Sequence, residues 1–356
     1  MSAGAGGHEE MWPYWLLYGV GLLLIPVRVL DRRAQLVVWS LVIAVFSVVI
    51  GLRHEVGADW GNYLDYFESA AVTPFSEYVT PGRDPGYYLI NWVVNRLGGS
   101  IYVVNALCGL LFMSGVVAFV RRQPLPWLAL LVAVPYLIIV VGMGYTRQSV
   151  AIGLSMIAMV ALLDRKWGRF FFWMVLAASF HKTALFLLPV VAWVADRNRL
   201  MVLTGGAISF VLAGYFFLFG SLDHFMTTYV EGEMDSKGAF VRTGMNFLAS
   251  IIYFIHAKRI DHVPTERKFW GLMAFFSMIS FPLSFFASTA TDRMALYLFP
   301  FQIHVLSFCP LLFRQNDIRG AFAFLVIGFF AVVLGVWMFF AEHSFAWVPY
   351  RLAGFE

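Results

Sequence analysis

Apolar runs close to the length that crosses a bilayer recur along the whole chain, and they limit the possible folds more than any motif does. Such runs read as transmembrane helices. They are expected at 12–28, 34–52, 100–120, 125–143, from the 144–148 turn to 163, and at 200–220, 244–257, 269–287, 294–313 and 320–340. A further run covers 170–195. Composition agrees: 60% of the residues are hydrophobic, 18% aromatic and only 13% charged, far from the balance of a soluble domain. The sequence therefore predicts an all-α polytopic membrane protein, a single integral membrane domain over residues 1–356 with no linker or internal repeat.

Loop charge orients it. Arg28, Arg32 and Arg33 after the first run mark a cytoplasmic loop and put the N-terminus outside. The first eleven residues carry Glu9 and Glu10 but no Lys or Arg, so they lack the basic region of a cleaved signal and the first helix is expected to stay. The run at 170–195 needs more care, because Ser179, His181, Lys182 and Thr183 lie at its middle. As one helix it would send Arg197, Arg199, Lys258, Arg259, Arg267 and Lys268 to the outer face. As a short-helix hairpin turning at His181 it keeps them all in the cytoplasm, and the charge bias favours that reading. Each limb then has about 11–14 residues and is roughly 17–21 Å long, short of the roughly 30 Å hydrocarbon core. His181 is thus expected at the floor of a recessed cavity, where irregular backbone is tolerated because it lines water or protein. Counting both limbs gives about 12 transmembrane helices and places both termini in the periplasm.

Two outer segments interrupt the apolar pattern. Residues 53–99 are too polar to span yet rich in aromatics, and apolar residues at helical spacing in 62–78 and 86–97 predict a periplasmic cap of amphipathic helices. Residues 221–243 form a second periplasmic loop. Cys108 and Cys309 both fall inside apolar runs, which supports neither a disulfide framework nor a cysteine-based metal site. The net charge of +4 records cytoplasmic loops and carries no nucleic-acid reading.

The candidate site residues are polar groups stranded beside apolar runs on the outer side. Arg53, Arg147, Lys182 and Arg293 sit at helix ends or turns. The plain reading is snorkelling, or local pairing such as Asp292 with Arg293. Gathered on the face opposite the positive-inside excess, they also suit a phosphate or pyrophosphate, which guanidinium groups bind in a bidentate manner. His181 is either a hydrogen-bonded interhelical link or a base for a hydroxyl nucleophile, with Asp59 and Glu55 as the other candidate bases. No HExxH, DxD, paired CxxC or Walker pattern occurs, so neither a catalytic metal nor a nucleotide-sugar site is expected.

These residues also carry a resemblance. Arg53 with Gly57-Ala58-Asp59 and Tyr63, Asp84-Pro85-Gly86-Tyr87, Arg147-Gln148, Phe180-His181-Lys182-Thr183-Ala184, and Arg293 with Tyr297 follow one another as in the EpsG-like family of Wzy-type polysaccharide polymerases. The resemblance covers roughly residues 40–350. That family more often has Glu where Asp84 stands and Ser where Lys182 stands.

The resemblance implies a GT-C-like helical body in a bacterial inner membrane, with its active site facing the periplasm. It implies transfer of a glycan from one undecaprenyl-pyrophosphate-linked repeat unit to a sugar hydroxyl of another, without a cofactor or metal. Arg147, Arg293, Arg53 and Lys182 would hold the pyrophosphate. His181 or Asp59 would be catalytic, and Tyr63, Tyr87, Trp60, Asp84, Gln148 and Tyr297 would bind glycan. The implied partners are membrane lipid, the lipid-linked oligosaccharide, a flippase and a chain-length regulator. Two other readings fit the residues: a membrane acyltransferase acting on an extracellular glycan, and a transporter of lipid-linked glycan or anions.

Overall fold

The computed structural model describes residues 11–80, 83–188, 190, 194, 204, 207 and 238–354. Among them the chain is helical, with one isolated antiparallel bridge between Arg53 and Leu352. We number the main helices in chain order. α1 is Trp12–Leu23, α2 Arg32–Gly51, α3 Trp60–Val72, α4 Pro85–Arg96, α5 Ile101–Val120, α6 Pro126–Gly144, α7 Thr146–Leu163 and α8 Trp167–Phe180. α9 is Ala239–Ile260, α10 Pro264–Leu283, α11 Ser288–Leu312 and α12 Asn316–Phe340. Six of these, α2, α5, α6, α7, α11 and α12, are long and apolar enough to cross a membrane. Most of the expected helix 200–220, most of the second loop 221–243 and residues 189, 191–193 and 195 of the second hairpin limb lie outside the described residues.

The observed ends differ from the expected ones mainly where charge extends a helix. α9 and α10 run past the apolar stretches expected at 244–257 and 269–287, because Lys258 and Arg259 occupy the last turn of α9 and Glu266 the first turn of α10. These are the signs of charge that the helix dipole favours at each end. The first span ends early: α1 stops at Leu23 and a 3-10 turn, Ile25–Val29, follows with Pro26 near its start, since proline has no N–H to continue the ladder.

α6 is almost wholly buried and forms the axis of the bundle, whereas α2 and α12 present most of their surface outward. α5 packs against α2 and α7, α7 against α8, and α9 against α10 and α11. The α5–α7 crossing is close enough that a Cβ on Gly115 would lie 1.9 Å from the carbonyl oxygen of Gly153, the small-residue contact that lets membrane helices approach. Inside α6, Val134–Val141 is π-helical with Pro135 as its second residue, and the carbonyl of Ile139 accepts from Trp347 Nε1 at 3.2 Å.

The C-terminal tail thereby returns to the cap. Besides Trp347, it donates from Ala353 N to Leu52 O at 2.8 Å and accepts from His54 N at Arg351 O over 2.9 Å. Arg351 pairs with Glu55 at 2.6 Å, and Tyr14 of α1 donates to the Trp347 carbonyl. The Arg53 stretch is therefore held between the start of the chain and its end.

Arg53 itself is fully buried. It donates to Ile50 O at 2.6 Å, Val56 O at 3.2 Å, Asn105 Oδ1 at 3.3 Å and Thr146 Oγ1 at 2.7 Å. No carboxylate pairs with it among the described residues. Its charge is dispersed over four neutral oxygens from four segments, and truncation would leave those acceptors in a dry site. Arg53→Ala is expected to destabilise the fold by about 3–5 kcal/mol. The check is thermal unfolding and membrane accumulation, which should fall together; a variant as stable as the parent would contradict the bracing role.

Candidate active site

Three consecutive residues at the start of α7 reach three different parts of the molecule. Successive residues of an α-helix point about 100° apart, so Thr146, Arg147 and Gln148 fan outward from one turn. Thr146 takes the Arg53 bond described above. Arg147 Nη1 donates to Asp84 Oδ2 at 2.8 Å, and its guanidinium lies 5.3 Å from the centre of the Tyr66 ring. Gln148 Nε2 donates to the carbonyl of Arg293 at 2.9 Å, while Arg293 Nη1 returns a bond to Gln148 Oε1 at 3.3 Å. The Arg293 guanidinium lies 4.8 Å from the Tyr145 ring centre. The adjacent residues Arg147 and Gln148 therefore link the cap on one side to α11 on the other.

α8 delivers the imidazole. It ends at Phe180, His181 is extended, and a 3-10 turn covers Lys182–Leu187. The expected break in the apolar run is thus present at His181. His181 Nδ1 bonds Thr183 Oγ1 at 2.6 Å, and Thr183 Oγ1 donates to Tyr297 OH at 3.1 Å. Assigned from that network, the threonine oxygen accepts from Nδ1–H, and Nε2 is left as the acceptor of a neutral imidazole. Arg147, Arg293 and Lys182 all lie within electrostatic reach of this ring.

The cap is seated on α8 by a close approach at Gly86, where an added Cβ would fall 2.6 Å from Ser179 Oγ and 2.9 Å from Phe180 Cε2. That seating puts Asp84, at the N-terminus of α4, beside the His181 turn. Asp84 is buried, and besides Arg147 it accepts from the backbone N–H of Lys182. Burial pushes its carboxyl up to about 6, against the pull of Arg147 and Lys182. Because the fold raises this value, the group contributes most to stability below its ordinary value of 3.8 and loses that contribution as pH rises through about 6. The stability of Asp84→Asn relative to the parent should therefore increase between pH 4 and 7, as read by thermal unfolding across that range. A difference that does not vary with pH would contradict the burial of a titrating carboxyl here.

The other expected residues are placed unequally. Tyr297 is buried at the Thr183 bond. Tyr63 and Tyr87 are also buried and pack edge-on at 5.5 Å, within a cluster that includes Tyr66 and Tyr88; the Arg147 guanidinium lies over Tyr66, and the Tyr63 hydroxyl meets the Arg147 backbone. Trp60 belongs to a different cluster, 5.8 Å from His54, 6.0 Å from Tyr102 and 5.9 Å from the Arg53 guanidinium. Asp59 is half-buried at the start of α3, where Asn62 Nδ2 approaches it at 3.5 Å, and its charge reaches Tyr63 and Tyr145. Arg53 stands behind this group rather than in it, joined to it through Thr146.

Four residues of the neighbourhood are absent from the expected set. Tyr145 and Tyr66 stack on the two arginines, Thr183 ties His181 to Tyr297, and Arg242 forms an ion pair with Asp292 while lying 5.5 Å from the Tyr136 ring centre. The sequence carries a signal for Thr183, which follows the histidine within the apolar run. It carries none for Arg242, whose partner lies 50 residues away. Among the described residues no group of three His, Cys, Asp or Glu is arranged to hold a metal ion.

A multi-pass helical body with cations, a buried carboxyl and a neutral imidazole gathered at a helix break can hold an anionic group and accept a proton beside it. The chain belongs to the EpsG family, whose model matches residues 36–352. Membership points to a polysaccharide-polymerase type of activity on a lipid-linked saccharide in a membrane. No curated protein and no solved structure matches it.

Proposed function

We propose that this protein is a polysaccharide polymerase of the bacterial inner membrane. It transfers a glycan from one undecaprenyl-pyrophosphate-linked repeat unit to a sugar hydroxyl of a second, at the periplasmic face. The observation that carries this reading is the convergence of Arg147, Arg293 and Lys182 on His181 at the break after α8. Three cations gathered around one imidazole beside a membrane suit an anion, and the pyrophosphate of a lipid-linked donor is an anion delivered at that depth.

In this account Arg147 and Arg293 hold the pyrophosphate and stabilise the charge that grows as the anomeric carbon–oxygen bond breaks. Lys182 adds counter-charge where other enzymes use a metal. The acceptor hydroxyl forms the new glycosidic bond and gives its proton to His181 or Asp59, while the leaving pyrophosphate keeps the bonding electrons. Asp84 and Gln148 set the two arginines, and Tyr297 holds the His181 turn through Thr183. Tyr63, Tyr87 and Trp60 shape the cap over the sugar path. Arg53 supports α7 from behind. The body is GT-C-like with about 12 spans and both termini in the periplasm, and it works beside a flippase and a chain-length regulator.

Arg147→Ala and Arg293→Ala should each lower polymerisation about a hundredfold or more, while the protein still inserts and accumulates. The measurement is the length distribution of the surface glycan, with the membrane level of each variant followed in parallel. Normal chain length in both variants would overturn the assignment. A change in ester content at unchanged length would instead support acyl transfer.

A further inference from the structure

The end of the bundle opposite the candidate site carries a cavity that the polymerase reading does not use. α5 starts near the cap and, at 20 residues, extends about 30 Å, so Arg121 at its far end is a membrane thickness away from Arg147. There a cavity of about 310 Å³ opens between the turn after α1, the first half of α2 and the α5–α6 loop. Leu24, Val27, Trp39 and Trp127 line it, with Gln35, Arg121 and Gln123 as polar members.

The charge around this cavity is not compensated from within. Arg121 is exposed, and its guanidinium makes no hydrogen bond or ion pair among the described residues. The acid of the loop after α7 is already taken: Asp164 pairs with Arg122 at 2.5 Å and with Lys166 at 3.1 Å. On α2, Arg32 and Arg33 stand in the first turn, where the helix dipole disfavours cations. Asp31 is committed there as the cap, accepting from Ala34 N at 2.6 Å. Arg32, Gln35 and Trp39 follow one another at helical spacing and so share a face. The result is a basic rim over an apolar floor with two indoles, beside surface that is open and greasy: Leu23 is 74% and Ile25 49% exposed. Lysine, arginine and tryptophan at a membrane surface are the groups that recognise an anionic lipid headgroup.

We propose that this cavity binds the phosphate-bearing headgroup of an anionic phospholipid, in the leaflet opposite the one that the candidate site faces, with Arg121 as its counter-charge. The lipid's acyl chains lie along the exposed apolar side of the turn after α1. Occupancy ties the α1–α2 turn to the α5–α6 loop and so stabilises the bundle at that end.

The test uses the purified full-length protein in detergent, with phosphatidylglycerol, phosphatidylcholine of the same acyl chains, or inorganic phosphate added in turn. Thermal unfolding and native mass spectrometry are the readouts. Phosphatidylglycerol should raise the unfolding temperature and be retained in the spectrum, whereas the other two should do neither. Arg121→Gln should weaken phosphatidylglycerol binding about fivefold, and Arg121→Glu more. Arg169→Gln, which removes an exposed charge at the same end, should leave binding as it was. Equal effects of the two lipids, an equal loss in Arg169→Gln, or unchanged binding in both Arg121 variants would overturn the proposal. So would a shift produced by inorganic phosphate alone, which would make this a free-anion site. None of these outcomes bears on glycan length, so the site can fail without the polymerase reading failing, and the reverse.

Discussion

A cation with no acid partner among the described residues lies at the centre of this fold, and much of the rest follows from how Arg53 is accommodated. A buried guanidinium must place its donors or the fold loses several kcal/mol, and Arg53 places them on the end of α2, the loop after it, the first turns of α5 and the first residue of α7. Those four segments are thereby held in one relation to each other. The C-terminal tail closes over the same point through the bridge at Leu352 and the seat of Trp347 on Ile139. The start of α7 is the segment that matters most, since it carries Arg147 and Gln148.

From that fixed start the site is assembled by contacts that each span a long stretch of sequence. Arg147 reaches back 63 residues to Asp84, and Gln148 reaches forward 145 to Arg293. The imidazole comes from a third direction, at a place where the helix gives out. The break after Phe180 leaves His181 extended, and the Thr183–Tyr297 bond fixes the ring through Thr183. A neutral histidine beside three cations presents Nε2 as a hydrogen-bond acceptor, and an anion bound to those cations offsets their charge as the ring takes up a proton. A buried carboxyl with a raised pKa stands close by at Asp84. Both properties suit a site in which an anion arrives, a hydroxyl proton leaves, and charge must be balanced without water.

Much of the fold was legible in the sequence because the bilayer imposes a length and a composition on each span. The described spanning helices fall within a few residues of the apolar runs, and the interruption at His181 is visible as four polar residues in an otherwise apolar stretch. The candidate site was legible in part. Arg147, Arg293, His181 and Lys182 are conspicuous as charges and polar groups where none is cheap, and the structure brings them together. Arg53 is conspicuous for the same reason, yet its donors are spent on packing; a sequence shows that a charge is buried but not which oxygens it meets. Arg242 went the other way, appearing as one charge among several in a polar loop until its pairing with Asp292 set it beside Tyr136. Tyr63 and Tyr87 read as sugar-facing aromatics, while the packing of the cap turns them inward and leaves Tyr66 over Arg147.

The account depends most on His181 being part of the reaction rather than a link between helices. The direct measurement is glycan chain length in cells whose only copy carries His181→Ala, together with the membrane level of that variant. Accumulation of single repeat units on lipid, with the protein at its normal level, is the predicted result. Full-length polymer under the same conditions would contradict it, returning His181 to a packing role and leaving the proton to Asp59.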